Sequence, residues 1–154
     1  MQRTAEDLAG HWQVTRTITD HLVGQSGRFD GQARLVPVPG GLDYAEEGVL
    51  RLGDGLPLTA SRAYQWCFVG DTVEVRFADG RPFHAFAPGK TGPGTDHYCG
   101  ADLYRVRYDW DRWPDWVALW DVRGPRKDYR MESRYTRATT HALASGGGIG
   151  QDLS

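Results

Sequence analysis

The sequence predicts an all-β chain folded as an up-and-down antiparallel β-barrel of eight to nine strands, opened by one short helical turn. Three observations carry that expectation. Apolar residues recur at every second position along most of the chain, the period of a half-buried strand. The breaks between these runs are Gly, Pro and Asp clusters with turn chemistry. The connections are short, so sequential strands should pair as antiparallel neighbours. A meander of that length curls and closes, which removes its exposed edges. A two-sheet sandwich is the alternative.

The elements follow in order. Thr4-Ala5-Glu6-Asp7-Leu8-Ala9 suits a single helical turn, with Thr4 as N-cap, Asp7 completing a variant capping box, and Gly10 as the stop. Strands are expected at His11–Thr19, Arg28–Val38, Leu42–Leu52, Leu58–Val69 and Thr72–Ala78. Further strands are expected at Pro82–Ala87, His97–Tyr108, Trp116–Val122 and Asp128–Arg137. Val38-Pro39-Gly40-Gly41, Gly53-Asp54-Gly55, Gly70-Asp71, Asp79-Gly80 and Gly124-Pro125 are the turns. Pro88 to Gly94 forms a longer loop. Residues 1–138 read as one barrel domain. Residues 139–154, with a Ser-Gly-Gly-Gly run and no core pattern, read as a flexible tail.

Composition excludes several function classes. The 154 residues suit one domain with its own core. Lys and Arg number 18 against 20 Asp and Glu, so the strong basic excess of a nucleic-acid binder is missing. Only Lys90 and Lys127 are lysines; the rest of the positive charge is arginine. No apolar run is long enough to span a membrane as a helix, and the polar start lacks a signal-peptide pattern, which points to the cytoplasm. Cys67 and Cys99 are too few for a disulfide scaffold or a paired-cysteine zinc motif. No cofactor motif is present, and none is expected.

Alternation assigns inward faces, and three charged residues fall on them. Arg16 shares a face with Trp12, Val14 and Ile18. Glu46 lies with Leu42 and Tyr44. Arg62 lies with Tyr64, Trp66 and Phe68. A lone charge among bulky hydrophobes is costly unless paired. Three arrangements answer that cost: a salt-bridge network with Glu46 between two arginines, a bulge that turns a residue outward, or a ligand cavity with these residues as polar anchors. A barrel of about eight strands can hold one small ligand. Phe86, Cys99, Trp120 and Tyr129 join Arg16, Glu46, Arg62, Tyr64 and Trp66 as candidate ligand-binding residues. Gly31 and Gly48, inside strands, suit either a barrel bend or room for that ligand.

His84, His97, Asp102 and Tyr104 form a second group. A hairpin centred on the Pro88–Gly94 loop would put His84 opposite His97 or Tyr98. An imidazole moving a proton, oriented by Asp102 or assisted by Tyr104, would make the barrel an enzyme of isomerase, cyclase or hydrolase type. His84, His97 and Cys99 are sound zinc ligands, yet their spacing matches no short metal motif. The same side chains could simply hydrogen-bond the barrel mouth. Trp110, Trp113 and Trp116, interrupted by Pro114, suit an irregular aromatic lid or a homodimer contact, the mark of an interaction module.

Gly10-His11-Trp12 after the helical turn resembles the opening signature of the lipocalin and calycin barrels. That resemblance implies that Trp12 plugs one barrel end, with Arg134 or Arg137 of the last strand across its ring. Four further blocks are Arg62-x-Tyr64-x-Trp66, Phe77 to His84, His97 to Tyr104, and Trp120 to Tyr129. Together they resemble an uncharacterised bacterial and fungal domain-of-unknown-function family over about residues 8–137. The resemblance implies a fold and a site location, with no reaction attached. The expected partner is therefore a small, partly apolar and anionic molecule in the barrel interior, with neither nucleic acid nor membrane.

Overall fold

The computed structural model describes residues 2–138. The residues expected to form the flexible tail lie outside them. The chain begins with α1 (Ala5–Leu8), where the Thr4 hydroxyl accepts the Asp7 N–H and the Asp7 carboxylate accepts the Thr4 N–H. Eleven strands follow: β1 (Gly10–Asp20), β2 (Gln25–Val38), β3 (Gly41–Leu52), β4 (Leu58–Val69), β5 (Thr72–Phe77), β6 (Pro82–Phe86), β7 (Gly92–Pro93), β8 (His97–Cys99), β9 (Asp102–Asp109), β10 (Trp116–Gly124) and β11 (Lys127–Arg137). They form one antiparallel sheet in the order β6-β5-β4-β3-β2-β1-β11-β10-β9-β7, with β8 on β9. The sheet curls into a nearly closed barrel.

The expected architecture holds, and the strand count is corrected from eight or nine to eleven. The expected strand His97–Tyr108 is broken in its middle. Gly100 adopts φ +60°, a left-handed conformation open to glycine, so the chain reverses at Gly100-Ala101 and β8 folds back on β9. His97 therefore pairs with Tyr104, and Cys99 faces Asp102 across the turn. The expected β6–β8 hairpin, with His84 opposite His97, does not form. The Gly92–Thr95 segment takes that place. Thr95 N–H donates to the Ala85 carbonyl and Gly94 N–H to the Val106 carbonyl, at 2.9 and 3.0 Å. A Cβ on Gly94 would meet both the Ala85 oxygen and the Val106 side chain at 2.7 Å, so this seam needs glycine.

One barrel end is plugged by indoles. Trp12 is fully buried and donates its Nε1–H to the Leu8 carbonyl at 2.9 Å. Trp113 and Trp116 pack against it with centroids 6.0 and 5.7 Å away, and Trp110 lies 5.1 Å from Trp116. The Arg137 guanidinium lies 3.8 Å above the Trp12 ring and donates to the carbonyls of Ala9 and Asp7. Of the two arginines singled out in the last strand, Arg137 is the one across the plug. The tryptophan series, expected as a lid or a homodimer contact, is part of the closed end, with Trp110 and Trp116 buried in the core. The opposite end, ringed by the β1–β2, β3–β4, β5–β6, β8–β9 and β10–β11 turns, is open.

Candidate functional site

The barrel interior holds a cavity of about 840 Å³ that opens at the end away from the tryptophan plug. This lies within the range of small-molecule sites, roughly 300–1,000 Å³. Among the described residues its charged lining consists of Arg16, Arg62 and Arg81, with no carboxylate.

The two inner arginines are built into the wall by alternation. Arg16 on β1 is opposite Ser133 on β11, whose small side chain leaves space for the guanidinium. Glu46 on β3 is opposite Arg62 on β4. Arg16 grips Glu46 with both Nη atoms, at 2.7 and 2.9 Å, and its Nε–H donates to Ser133 Oγ at 2.6 Å. The Tyr44 hydroxyl donates a short hydrogen bond to Glu46 and lies 2.8 Å from the Tyr135 hydroxyl. Arg62 Nε reaches Glu46 at 3.4 Å. The expected salt-bridge network is present, and its two arginines also line the cavity.

Electrostatics follow from burial and pairing. Burial alone would raise the Glu46 pKa, but the hydrogen bonds and charge of Arg16, with the charge of Arg62, lower it below its usual value. Burial would likewise lower the Arg16 pKa, and the hydrogen bond to Glu46, with the electrostatic influence of Tyr135, Glu46 and Tyr44, more than reverses this. Burial holds the Tyr44 and Tyr135 phenols neutral, with their pKa values raised. Two guanidiniums share one carboxylate, so the cluster carries one positive charge in excess. That excess sits on Arg62. Its side chain keeps 45% of its surface accessible, against 6% for Arg16. Arg62 makes no side-chain hydrogen bond among the described residues beyond its 3.4 Å approach to Glu46, and it borders the cavity.

Gly31 and Gly48 stand opposite each other on β2 and β3. A Cβ at either would collide with the Phe29 ring, at 2.6 and 2.7 Å. The space they leave is filled by Phe29, which in turn lies 5.0 Å beneath the Arg16 guanidinium. The glycines serve the arginine's seat and leave no extra ligand space.

The second predicted group is spread over the upper barrel. His84 is buried at 8% exposure on the cavity wall, with Nε2 2.9 Å from the Tyr108 hydroxyl. Burial, with the nearby His97, lowers its pKa to about 3, so it is neutral at physiological pH. His97 also borders the cavity and packs edge-on against Phe83 at 5.1 Å. Asp102 pairs with Lys127 at 3.1 Å and makes no hydrogen bond to either imidazole among the described residues. Lys127 also donates to the Tyr104 hydroxyl at 2.9 Å. Cys99 stands exposed at the mouth. Among the described residues, no three His, Cys, Asp or Glu side chains gather in a way that could hold a metal ion. Of the predicted ligand-binding residues, Arg16, Arg62, Tyr64, Trp66, Cys99, Trp120 and Tyr129 line the cavity. Glu46 stands behind the arginines, and Phe86 packs in the core 4.0 Å from Tyr108.

Phe83 was missed by alternation, and the reason is a bulge. Arg76 pairs with Pro82 and Val75 with His84, so Phe83 is an extra residue on β6. The bulge turns Phe83 inward together with its neighbour His84. Ser133 was visible as a small polar residue in an apolar inward set, a sign that something polar faces it.

Comparisons with known proteins bear on the fold. An S-type phycobiliprotein lyase from Guillardia theta superposes with a TM-score of 0.61 at 10% identity, over 88% of this chain and 91% of that one. A protein of unknown function from the DUF3598 family of Nostoc punctiforme superposes with a TM-score of 0.60 at 8% identity, over 89% of this chain and 50% of that one. No curated protein matches the sequence. A family model described as a family of unknown function (DUF6314) matches residues 8–137.

Proposed function

Because the chain belongs to DUF6314, a family of unknown function, its role must be read from its own cavity, and we propose that it binds a small, partly apolar anion inside the barrel. The observation that carries this is Arg62: a guanidinium with no side-chain hydrogen bond among the described residues, bordering an open-ended cavity whose described lining holds arginines and no carboxylate. A planar fork of that kind matches a carboxylate or phosphate. The Arg16–Glu46 pair is satisfied within itself, so it holds the wall together and leaves Arg62 as the anion contact.

The structural neighbour from Guillardia theta is a phycobiliprotein lyase, and it shares the fold of this chain. A bile pigment therefore belongs beside fatty acids in a binding panel. Trp66, Trp116 and Trp120 line the cavity and report on its occupancy. Titration with oleate and biliverdin should quench tryptophan emission saturably. The Arg62→Gln variant should bind the same acids about tenfold more weakly, the loss of one charge-assisted hydrogen bond. Its far-UV spectrum should be unchanged, because Arg16 still neutralises Glu46. Absence of quenching by every anionic amphiphile, or equal affinity in Arg62→Gln, contradicts the proposal.

A further inference from the structure

Aromatic rings make up half of the residues that line the cavity. Of the residues that line it, twelve are Phe, Tyr or Trp, while only Val75, Pro82, Ala118 and Met131 are aliphatic. A wall evolved around a flexible acyl chain has no need of rings, because aliphatic side chains adapt to it equally well. Rings favour a partner that can stack or meet them edge to face.

These rings are held in parallel rows. Phe77, Phe83 and Trp120 run in sequence, with centroids 4.6 and 5.1 Å apart and planes within 19° and 10°. Deeper in the barrel Tyr44 is parallel to Trp66 within 12°, and Trp116 to Tyr135 within 5°. Each ring fixes its neighbour, so little side-chain freedom is left to lose when a flat molecule enters. Tyr64, Phe77, Phe83 and Tyr104 point inward and are nevertheless only half-buried. They border the cavity, and a ligand there would remove surface of theirs from water.

From these rows and the unpaired Arg62 fork on the same wall, we infer that the ligand is a planar aromatic or conjugated carboxylate, stacked among the rings with its acid group on Arg62. The inference rests on the anion-binding reading and narrows its ligand class. Phe83 is the specificity residue, because the β6 bulge brings it inward between Phe77 and Trp120.

Calorimetric titration of the full chain with three probes tests both levels separately. Pyrene-1-carboxylate should bind about tenfold more tightly than palmitate, which has the charge without the rings. It should also bind about tenfold more tightly than pyrene-1-methanol, which has the rings without the charge. Phe83→Leu should weaken pyrene-1-carboxylate and leave palmitate unchanged, with the far-UV spectrum as a control for folding. If palmitate equals or exceeds pyrene-1-carboxylate while both outbind the alcohol, the planar class is overturned and anion binding stands. If the alcohol binds as well as its acid, or if no probe binds, the anion reading itself falls.

Discussion

Arg16, Glu46 and Arg62 differ in what each can do, although alternation places all three inside. Arg16 and Glu46 are nearly inaccessible and satisfy each other bidentately, so removing either would strand a buried charge. Arg62 is the surplus cation and the one with open donors. The inward placement was legible in the sequence from the period of two, although a bulge turning one of them outward was an open alternative. Their partners across the barrel, Ser133, Tyr44 and Tyr135, were not, since barrel closure sets those distances and no local pattern encodes it. His84 makes a prediction at this scale. Its folded pKa is about 3, against an ordinary value of 6.5. Between those values the unfolded chain binds a proton that the folded chain refuses, so stability falls as pH drops below 6.5. From pH 7 to pH 5 the linked loss is about 2 kcal/mol. Urea denaturation of His84→Gln at the two pH values should lack that step. An identical pH dependence in both proteins would contradict the buried, neutral imidazole.

At the scale of elements, the long strands were legible and the seam was not. β1 to β4 carry uninterrupted alternation bounded by turn residues, and their expected and observed spans differ by three residues at most. The β6–β9 region depends on features that alternation does not register. Gly100 turns the chain where a continuous strand was expected, and Phe83 is inserted as an extra residue in β6. The Gly92–Thr95 segment closes the barrel through isolated hydrogen bonds, with only β7 as regular strand. The plug, by contrast, was anticipated from Gly10-His11-Trp12 and an arginine in the last strand. Arg137 ties β11 to α1 through two carbonyls and covers Trp12 at 3.8 Å. Arg137→Ala should therefore cost about 2 kcal/mol in urea denaturation, from the lost charge-assisted hydrogen bonds and the cation–π contact. A midpoint shift within experimental error would show that the plug holds without it.

For the whole molecule, the aromatic and arginine load of the sequence resolves into two functions at opposite barrel ends. Indoles with Arg137 seal one end. Rings with Arg16 and Arg62 line a cavity open at the other. No helix among the described residues is long and apolar enough to cross a membrane. The positive excess of the cavity comes from two guanidiniums sharing a single carboxylate, which the near-neutral charge of the chain conceals. A crystal structure with pyrene-1-carboxylate bound tests this account most directly. The account predicts the carboxylate within hydrogen-bond distance of the Arg62 Nη atoms, with the ring system inside the barrel against Phe83 and Trp120. A carboxylate held instead at the mouth by Arg81 or Lys127, with the interior empty of ligand, would contradict it.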